Sequence, residues 1–174
     1  MHACLLLGGR CVVALVFAVS ALAKLRAPGD FASALRAMAV VPRRLNRPVV
    51  IAVPLVEAAV ALLVWLPGPV ATWAFAAAGG LLALFAAVLV SVLWRRIDVS
   101  CPCFGAAGVP VGRAHVVRNL LLAGVAAAGL VASTAPDPGG LEPAAVTLVL
   151  LVAVGASALA IATDTLVELF SPAR

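Results

Sequence analysis

Long runs of apolar residues dominate the chain and alternate with short polar connectors. A helix that crosses a bilayer needs about 20 predominantly apolar residues. Five runs are close to that length, and they predict spanning helices at about 3–23, 49–66, 70–94, 116–133 and 144–163. Because backbone groups in lipid must find their hydrogen bonds within the segment, these runs predict helices and not irregular loops.

The composition supports the same conclusion. Apolar residues make up 65% of the 174 positions and charged residues only 11%, whereas soluble domains carry about 25% charged residues. The sequence therefore predicts an all-α integral membrane bundle forming one domain over residues 1–174, with the lipid bilayer as its surroundings. The net charge of +5 predicts membrane anchoring and not nucleic-acid binding, because the basic residues are concentrated in two short connectors.

The connectors between the predicted spans differ in character. Residues 24–48 form a basic connector, and its middle, residues 31–38, suits a short interfacial helix. The Pro-Gly-Pro sequence at 67–69 predicts a tight turn, so that the second and third spans form an antiparallel hairpin. Residues 95–115 form a second polar connector, and residues 134–143 form a third that is rich in proline, glycine and acid.

The amino-terminal run has one feature of a secretory signal. Ala21-Leu22-Ala23 resembles a signal-peptidase site at the end of an apolar stretch. No basic residue precedes Arg10, however, so the charged start that such signals carry is poor. We therefore predict that this run is the first membrane helix.

Chain parity predicts the orientation of the spans. With five spans, the 24–48 and 95–115 connectors share one face of the membrane with the carboxyl terminus, and this face holds most of the basic residues. The positive-inside rule then places that face in the cytoplasm, and the protein in the plasma (cytoplasmic) membrane.

The strongest chemical signal is the sequence Ser100-Cys101-Pro102-Cys103 in the second polar connector. Two cysteines one residue apart can form a local disulfide, although so small a ring is strained and is therefore easily reduced. We favour a redox pair that exchanges with other thiols. A metal site is a weaker alternative because zinc usually takes four ligands and only half of such a motif is present. Thiols without an exchange role are the third interpretation.

Basic residues flank this pair at Arg95, Arg96 and Arg113. Positive charge favours the reactive thiolate, but the same residues also suit membrane anchoring. The other two cysteines, Cys4 and Cys11, are seven residues apart in the first span. This separation corresponds to a rise of roughly 10 Å along a helix, which is too long for a disulfide, so both are predicted to be packing residues.

Glu57 is the second informative residue, because a carboxylate well inside a span is costly unless it meets a partner or a polar cavity. Lys24 ends the first span at the same membrane face, where Arg118 and Asn119 begin the fourth, and His115 is predicted just outside it. These residues and the cysteine pair should therefore gather at one face. A structural ion pair is one interpretation of the cluster, and a proton or quinone site is the other.

At this point the chain resembles a known family. The matching pieces are residues 17–25 (FAVSALAKL), Pro42 after Leu35, residues 53–57 (VPLVE), residues 101–105 (CPCFG) and residues 110–120 (PVGRAHVVRNL). They resemble the MauE/DoxX family of redox-associated membrane proteins, and in particular its methylamine utilisation branch. Family members often carry glycine between the two cysteines, where this chain has Pro102, which should stiffen the pair.

The resemblance implies a four-helix DoxX-like core with a fifth, carboxyl-terminal transmembrane helix. It also implies a role in the maturation of an exported redox protein together with a thioredoxin-like partner. In the methylamine branch the client is the disulfide-rich small subunit of methylamine dehydrogenase. Disulfide chemistry on an exported client favours cysteines outside the cell, whereas the charge distribution places them inside, so the side of the motif stays open.

Three functions follow from these observations. The leading hypothesis is a membrane thiol–disulfide oxidoreductase that uses Cys101 and Cys103, with Glu57 and Arg118 shaping a polar pocket, for which quinone is the candidate cofactor. The second is a non-catalytic scaffold that recruits a partner. The third is a small-solute transporter, which is disfavoured because the polar residues collect near one face and do not run along the helices.

Overall fold

The computed structural model describes residues 2–97, 112–135 and 141–170, with side chains as far as Thr163. The helices are α1 (His2–Arg26), α2 (Pro28–Ala37), α3 (Asn46–Leu63), α4 (Pro69–Trp94), α5 (Arg113–Thr134) and α6 (Pro143–Phe170), with one 3-10 turn at Arg43–Leu45 before α3. The described part of the chain contains no strand. The all-α prediction is therefore confirmed.

Five of these helices, α1, α3, α4, α5 and α6, are long and apolar enough to cross a membrane. Their outward faces carry large apolar side chains, among which Leu62, Trp73 and Leu121 are strongly exposed. Such a surface is stable in contact with lipid and not with water. The chain is thus a multi-span membrane protein with the five predicted spans.

The helices differ from the predicted spans mainly at the face that carries the basic connectors. α1 continues to Arg26, and α3 begins at Asn46, so both helices extend into the predicted connector 24–48. Apolarity marks the part of a helix that lies in lipid, whereas backbone hydrogen bonding continues into the polar region beyond it. At the other face α3 ends at Leu63, ahead of the Pro-Gly-Pro turn, in which Gly68 has a positive φ of 69°.

α1 lies at the centre of the bundle, where it packs against α3, α5 and α6. α4 and α5 form the most extensive helix pair. Small residues allow this close approach, since Ala78 of α4 and Ala126 of α5 are both fully buried and Phe75 of α4 packs against Gly129 of α5. The apolar core therefore runs between α1 and the α4–α5 pair.

α2 covers one end of the bundle and contacts α1 and α3. Ala34 and Leu35 point inward, whereas Asp30 and Arg36 are exposed. Just after the helix, Met38 is buried in a small apolar cluster with Val92 of α4, and Val40, Val88 and Ile97 pack around it. The middle of the predicted 24–48 connector is thus helical, and it closes the end of the bundle where α1 and α4 finish.

Candidate functional site

An ion pair between Lys24 and Glu57 is the centre of the candidate site. The Lys24 Nζ lies 2.8 Å from Glu57 Oε1 and 2.9 Å from Oε2, so the ammonium donates to both carboxylate oxygens. The side chains are only 2% and 1% exposed. A charge-assisted contact of this geometry compensates much of the cost of burying two charges.

Local helix geometry brings a third residue into this pair. Ser20 precedes Lys24 by four residues in α1, so the two side chains lie on the same face of the helix. The Ser20 hydroxyl donates to Glu57 Oε1 at 3.1 Å and accepts a short hydrogen bond from Lys24 Nζ. The three N–H donors of Lys24 are therefore all engaged by Ser20 and Glu57.

Two aromatic rings surround the ammonium group. The Lys24 Nζ lies 5.6 Å from the ring centroid of Phe31 in α2 and 5.5 Å from that of Phe85 in α4. Both distances suit cation–π attraction. Four elements, α1, α2, α3 and α4, thus contribute to the surroundings of one buried cation.

The first turns of α5 contribute three more polar side chains. His115, Arg118 and Asn119 are all buried, at 1%, 5% and 5% exposure. The Gly112 backbone N–H donates to His115 Nδ1 at 3.2 Å, which fixes the imidazole ring against the start of the helix. Arg118 is close enough to act electrostatically on Lys24.

His115 lies at the start of α5, ahead of the apolar run. The sequence predicts it just outside the fourth span, and the structure shows that it belongs to the first turn of α5 and is almost fully enclosed. The apolar run begins only at residue 116, whereas the helix begins at Arg113 because Gly112 and His115 cap its first turn.

A cavity of about 380 Å³ opens beside these polar groups. Ser20, Lys24, Glu57, Arg118 and Asn119 form its polar wall. The rest of the lining is apolar and comes from α1, α2, the segment after α2, α3, α4 and α5. The arrangement is an apolar chamber with a small number of polar groups along one wall, which is typical of small-molecule sites.

The structure therefore brings together the predicted cluster of Lys24, Glu57, Arg118 and Asn119. Cys101 and Cys103 lie outside the described residues. The described residues on either side of them are Ile97, which packs in the Met38 cluster, and Gly112, which bonds to His115. Both ends of the undescribed segment 98–111 therefore lie at the same end of the bundle as the polar cluster.

The remaining predicted residues have simpler surroundings. Cys11 is buried in the apolar core and Cys4 is partly buried, and neither forms a disulfide. Arg95, Arg96 and Arg113 are exposed at the ends of α4 and α5. Such positions suit both interpretations that the sequence offers for the three arginines.

Sequence reasoning missed Ser20, Phe31 and Phe85. A signal existed for Ser20, which lies one helical turn before a lysine at the end of an apolar run. No comparable signal marks the phenylalanines, because an aromatic side chain in an apolar helix is as compatible with lipid contact as with a site.

The sequence profile of the family described as methylamine utilisation protein MauE matches residues 2–132. The chain belongs to the MauE family. The match spans most of the chain, including every polar residue of the cluster and both Cys101 and Cys103.

A curated relative from the same family gives a second measure of similarity. The methylamine utilization protein MauE of Paracoccus denitrificans is 38% identical over 141 residues, which cover 80% of this chain and 75% of the relative. No solved structure matches the chain. All of α6 lies beyond the MauE profile, which ends within α5. The four-helix DoxX-like core stays a prediction.

Proposed function

We propose that this MauE family member is a membrane thiol–disulfide redox protein of methylamine utilisation. The observation that carries the proposal is the Cys101-Pro102-Cys103 sequence between the third and fourth spans. The described residues that flank it, Ile97 and Gly112, lie at the same end of the bundle as the buried polar cluster. Two cysteines one residue apart can open and close a disulfide with each other, which is the property that exchange chemistry needs.

The proposed reaction is thiol–disulfide exchange with a thioredoxin-fold partner. A partner thiolate attacks the Cys101–Cys103 disulfide and forms a mixed disulfide, which releases one thiolate of the pair. The second partner thiolate then attacks the partner's own sulfur in the mixed disulfide, and the remaining cysteine of the pair leaves as a thiolate. The partner gains a disulfide, Cys101 and Cys103 become two thiols, and two electrons have moved into this protein.

Exposed cations at both ends of the connector support this chemistry. Arg95, Arg96 and Arg113 are exposed at the ends of the two helices that the connector joins. Nearby positive charge stabilises a thiolate relative to a thiol, which favours both attack by a cysteine and its departure.

The biological context follows from the family. Its description names methylamine utilisation, so the proposed client is an exported redox protein of the methylamine dehydrogenase type that needs disulfides to mature. A multi-span protein with basic connectors on one face fits the cytoplasmic membrane. The thioredoxin-fold partner would carry oxidising equivalents between this protein and the client.

Mixed-disulfide trapping tests the proposal. In a background of Cys4→Ala and Cys11→Ala, a Cys103→Ser variant retains only Cys101, and a Cys101→Ser variant retains only Cys103. One of the two should capture a thioredoxin-fold protein in a complex that reductant dissolves, because the resolving thiol is missing. The matched control is the variant that lacks all four cysteines, which should capture nothing.

The same variants separate redox chemistry from a purely scaffolding role. A Cys101→Ser/Cys103→Ser protein present at normal levels should fail to support maturation of the client in cells grown on methylamine. Intact maturation with this double variant would contradict the proposal and favour a scaffold that recruits its partner without exchanging electrons. Failure of both single-cysteine variants to trap any protein would contradict it as well.

A further inference from the structure

The cavity beside Lys24 and Glu57 is lined on its outer side by residues at the lipid-facing surface. Leu84 of α4 lines it and is 57% exposed, and Phe85 of the same helix is partly exposed. Val49 and Val53 of α3 line the cavity on the side opposite α4, and they are also partly exposed. The cavity therefore reaches the surface between α3 and α4, where a membrane helix faces acyl chains.

The end of the bundle, by contrast, is covered by apolar side chains. Phe31, Leu35 and Met38 from α2 and the residue after it line the cavity on this side, together with Val40 and Val41. A water-soluble metabolite would have to cross this apolar layer and lose its hydration. A molecule dissolved in the bilayer reaches the gap between α3 and α4 without that cost.

The polar wall offers hydrogen-bond donors that the ion pair does not use. Asn119 is 5% exposed and lines the cavity, and no hydrogen bond joins its amide to another described residue. Arg118 lines the same wall and makes it basic. A buried amide needs a partner, so the wall is suited to a ligand with acceptor oxygens.

We propose that this cavity binds the ring of a membrane-dissolved quinone, with a ring oxygen on the Asn119 amide. The inference rests on the proposed function, because it supplies the oxidant that the cysteine pair needs. The apolar lining from α3 and α4 would hold the ring and the first part of its isoprenoid tail. Phe31 and Phe85 provide aromatic faces close to the ring site.

Other bilayer molecules fit this wall less well. Lys24 and Glu57 neutralise each other, so their pair offers no net charge to hold a phosphate or a fatty-acid carboxylate. An acyl chain alone would leave the buried Asn119 amide without a partner, which costs free energy. A neutral ring with carbonyl oxygens needs no counter-charge and gives the amide an acceptor.

With a quinone as oxidant, the electrons and protons lost by the cysteine pair are all accounted for. Cys101 and Cys103 as thiols lose two protons and two electrons, and the S–S bond forms between them. The quinone takes up both electrons and both protons, so its two carbonyl oxygens become hydroxyl groups. The hydroquinone then leaves to the bilayer, and the disulfide is ready for the next partner dithiol.

Binding of ubiquinone-2 to the purified full-length protein in nanodiscs tests the inference. The measurement uses a Cys101→Ser/Cys103→Ser background, so that it does not depend on any exchange reaction. Saturable binding is expected, and Asn119→Leu should weaken it about tenfold, the loss that one good hydrogen bond explains. Val53→Trp at the mouth of the cavity should abolish it, whereas Leu62→Trp, an exposed position on the same helix, should leave it unchanged.

Several results would overturn the quinone site. One is the absence of saturable ubiquinone-2 binding, and another is equal binding by Val53→Trp and Leu62→Trp. The third is a retained phospholipid that native mass spectrometry detects and that ubiquinone-2 does not displace. Because the cysteines are absent, failure here with successful mixed-disulfide trapping would remove only the quinone. Binding without trapping would remove the proposed exchange and leave the quinone site standing.

Discussion

The Nζ of Lys24 and the carboxylate of Glu57 are bonded across two transmembrane helices, α1 and α3, at 2.8 Å and 2.9 Å. Neither side chain is more than 2% exposed. Because the alternative for each group is an isolated charge in a low-dielectric interior, the pair ties the end of α1 to the interior of α3. It also forms part of the wall of the cavity, so stability and ligand binding depend on the same residues.

Removal of one partner of the pair should be costly. Glu57→Gln leaves the Lys24 ammonium buried without its counter-ion, and we expect a loss of about 3–5 kcal/mol in the free energy of unfolding. The loss can be measured by denaturant titration in mixed micelles. Glu142→Gln provides the control, since Glu142 is exposed and its neutralisation should change stability by less than about 0.5 kcal/mol.

The double variant Lys24→Met/Glu57→Leu sharpens this test. It removes both charges, so the remaining apolar pair should be more stable than either single variant. A double variant that loses as much as the two single variants combined would show that the residues do not act as a pair.

Ser20 should contribute less than the ion pair but more than a surface hydroxyl. Ser20→Ala removes a hydrogen bond to Glu57 and one from Lys24, and we expect about 1–3 kcal/mol of destabilisation. Ser33→Ala is a matched control, because the exposed Ser33 hydroxyl only bonds the Asp30 carbonyl within α2. Equal unfolding free energies for the two variants would contradict a role for Ser20 in the buried network.

The close approach of α4 and α5 predicts a strong effect at one glycine. A Cβ atom at Gly129 would overlap the buried ring of Phe75, so Gly129→Ala should cost about 1–3 kcal/mol of stability. Gly124→Ala in the same helix meets no atom within 4 Å and should be tolerated. Phe75→Leu should partly rescue Gly129→Ala, and lack of rescue in thermal unfolding would argue against this contact.

The orientation of the protein can be measured with single cysteines placed at opposite ends of α3. In a variant without native cysteines, Trp65→Cys in the turn before α4 should react with an impermeant thiol reagent in intact cells. Arg44→Cys in the basic connector should react only after permeabilisation. The reverse pattern would place the basic face, and with it the ends of the connector that carries Cys101, outside the cell.

Sequence reasoning reached the Lys24–Glu57 cluster through energetics. An ionisable residue inside a span must find a partner, and depth alone restricts the candidates to the few polar residues near the same face. The argument named Lys24, Arg118 and Asn119, and the structure places all three around one cavity with Glu57. It could not give the start of α5, which lies ahead of the apolar run and includes His115.

The sequence predicts a polar pocket at Glu57 and Arg118, but it does not predict the apolar lining of the cavity. α4 is apolar on all sides, so its sequence does not distinguish the face that packs on α5 from the one that borders the cavity. The covering role of α2 depends on tertiary contacts of Leu35 and Met38 that no local signal encodes. Periodicity therefore predicts which segments are helices, whereas the spaces between apolar helices follow only from their packing.

The salt link between α1 and α3 also has a consequence for biogenesis. During synthesis Lys24 emerges from the ribosome 33 residues before Glu57, so α1 enters the translocon while its counter-ion is still untranslated. Until α3 arrives, the ammonium must remain near the lipid headgroups or in water, where its charge is hydrated. Lys24 therefore moves into the bundle late in synthesis. α1 reaches its final depth in the membrane only after α3 has been inserted.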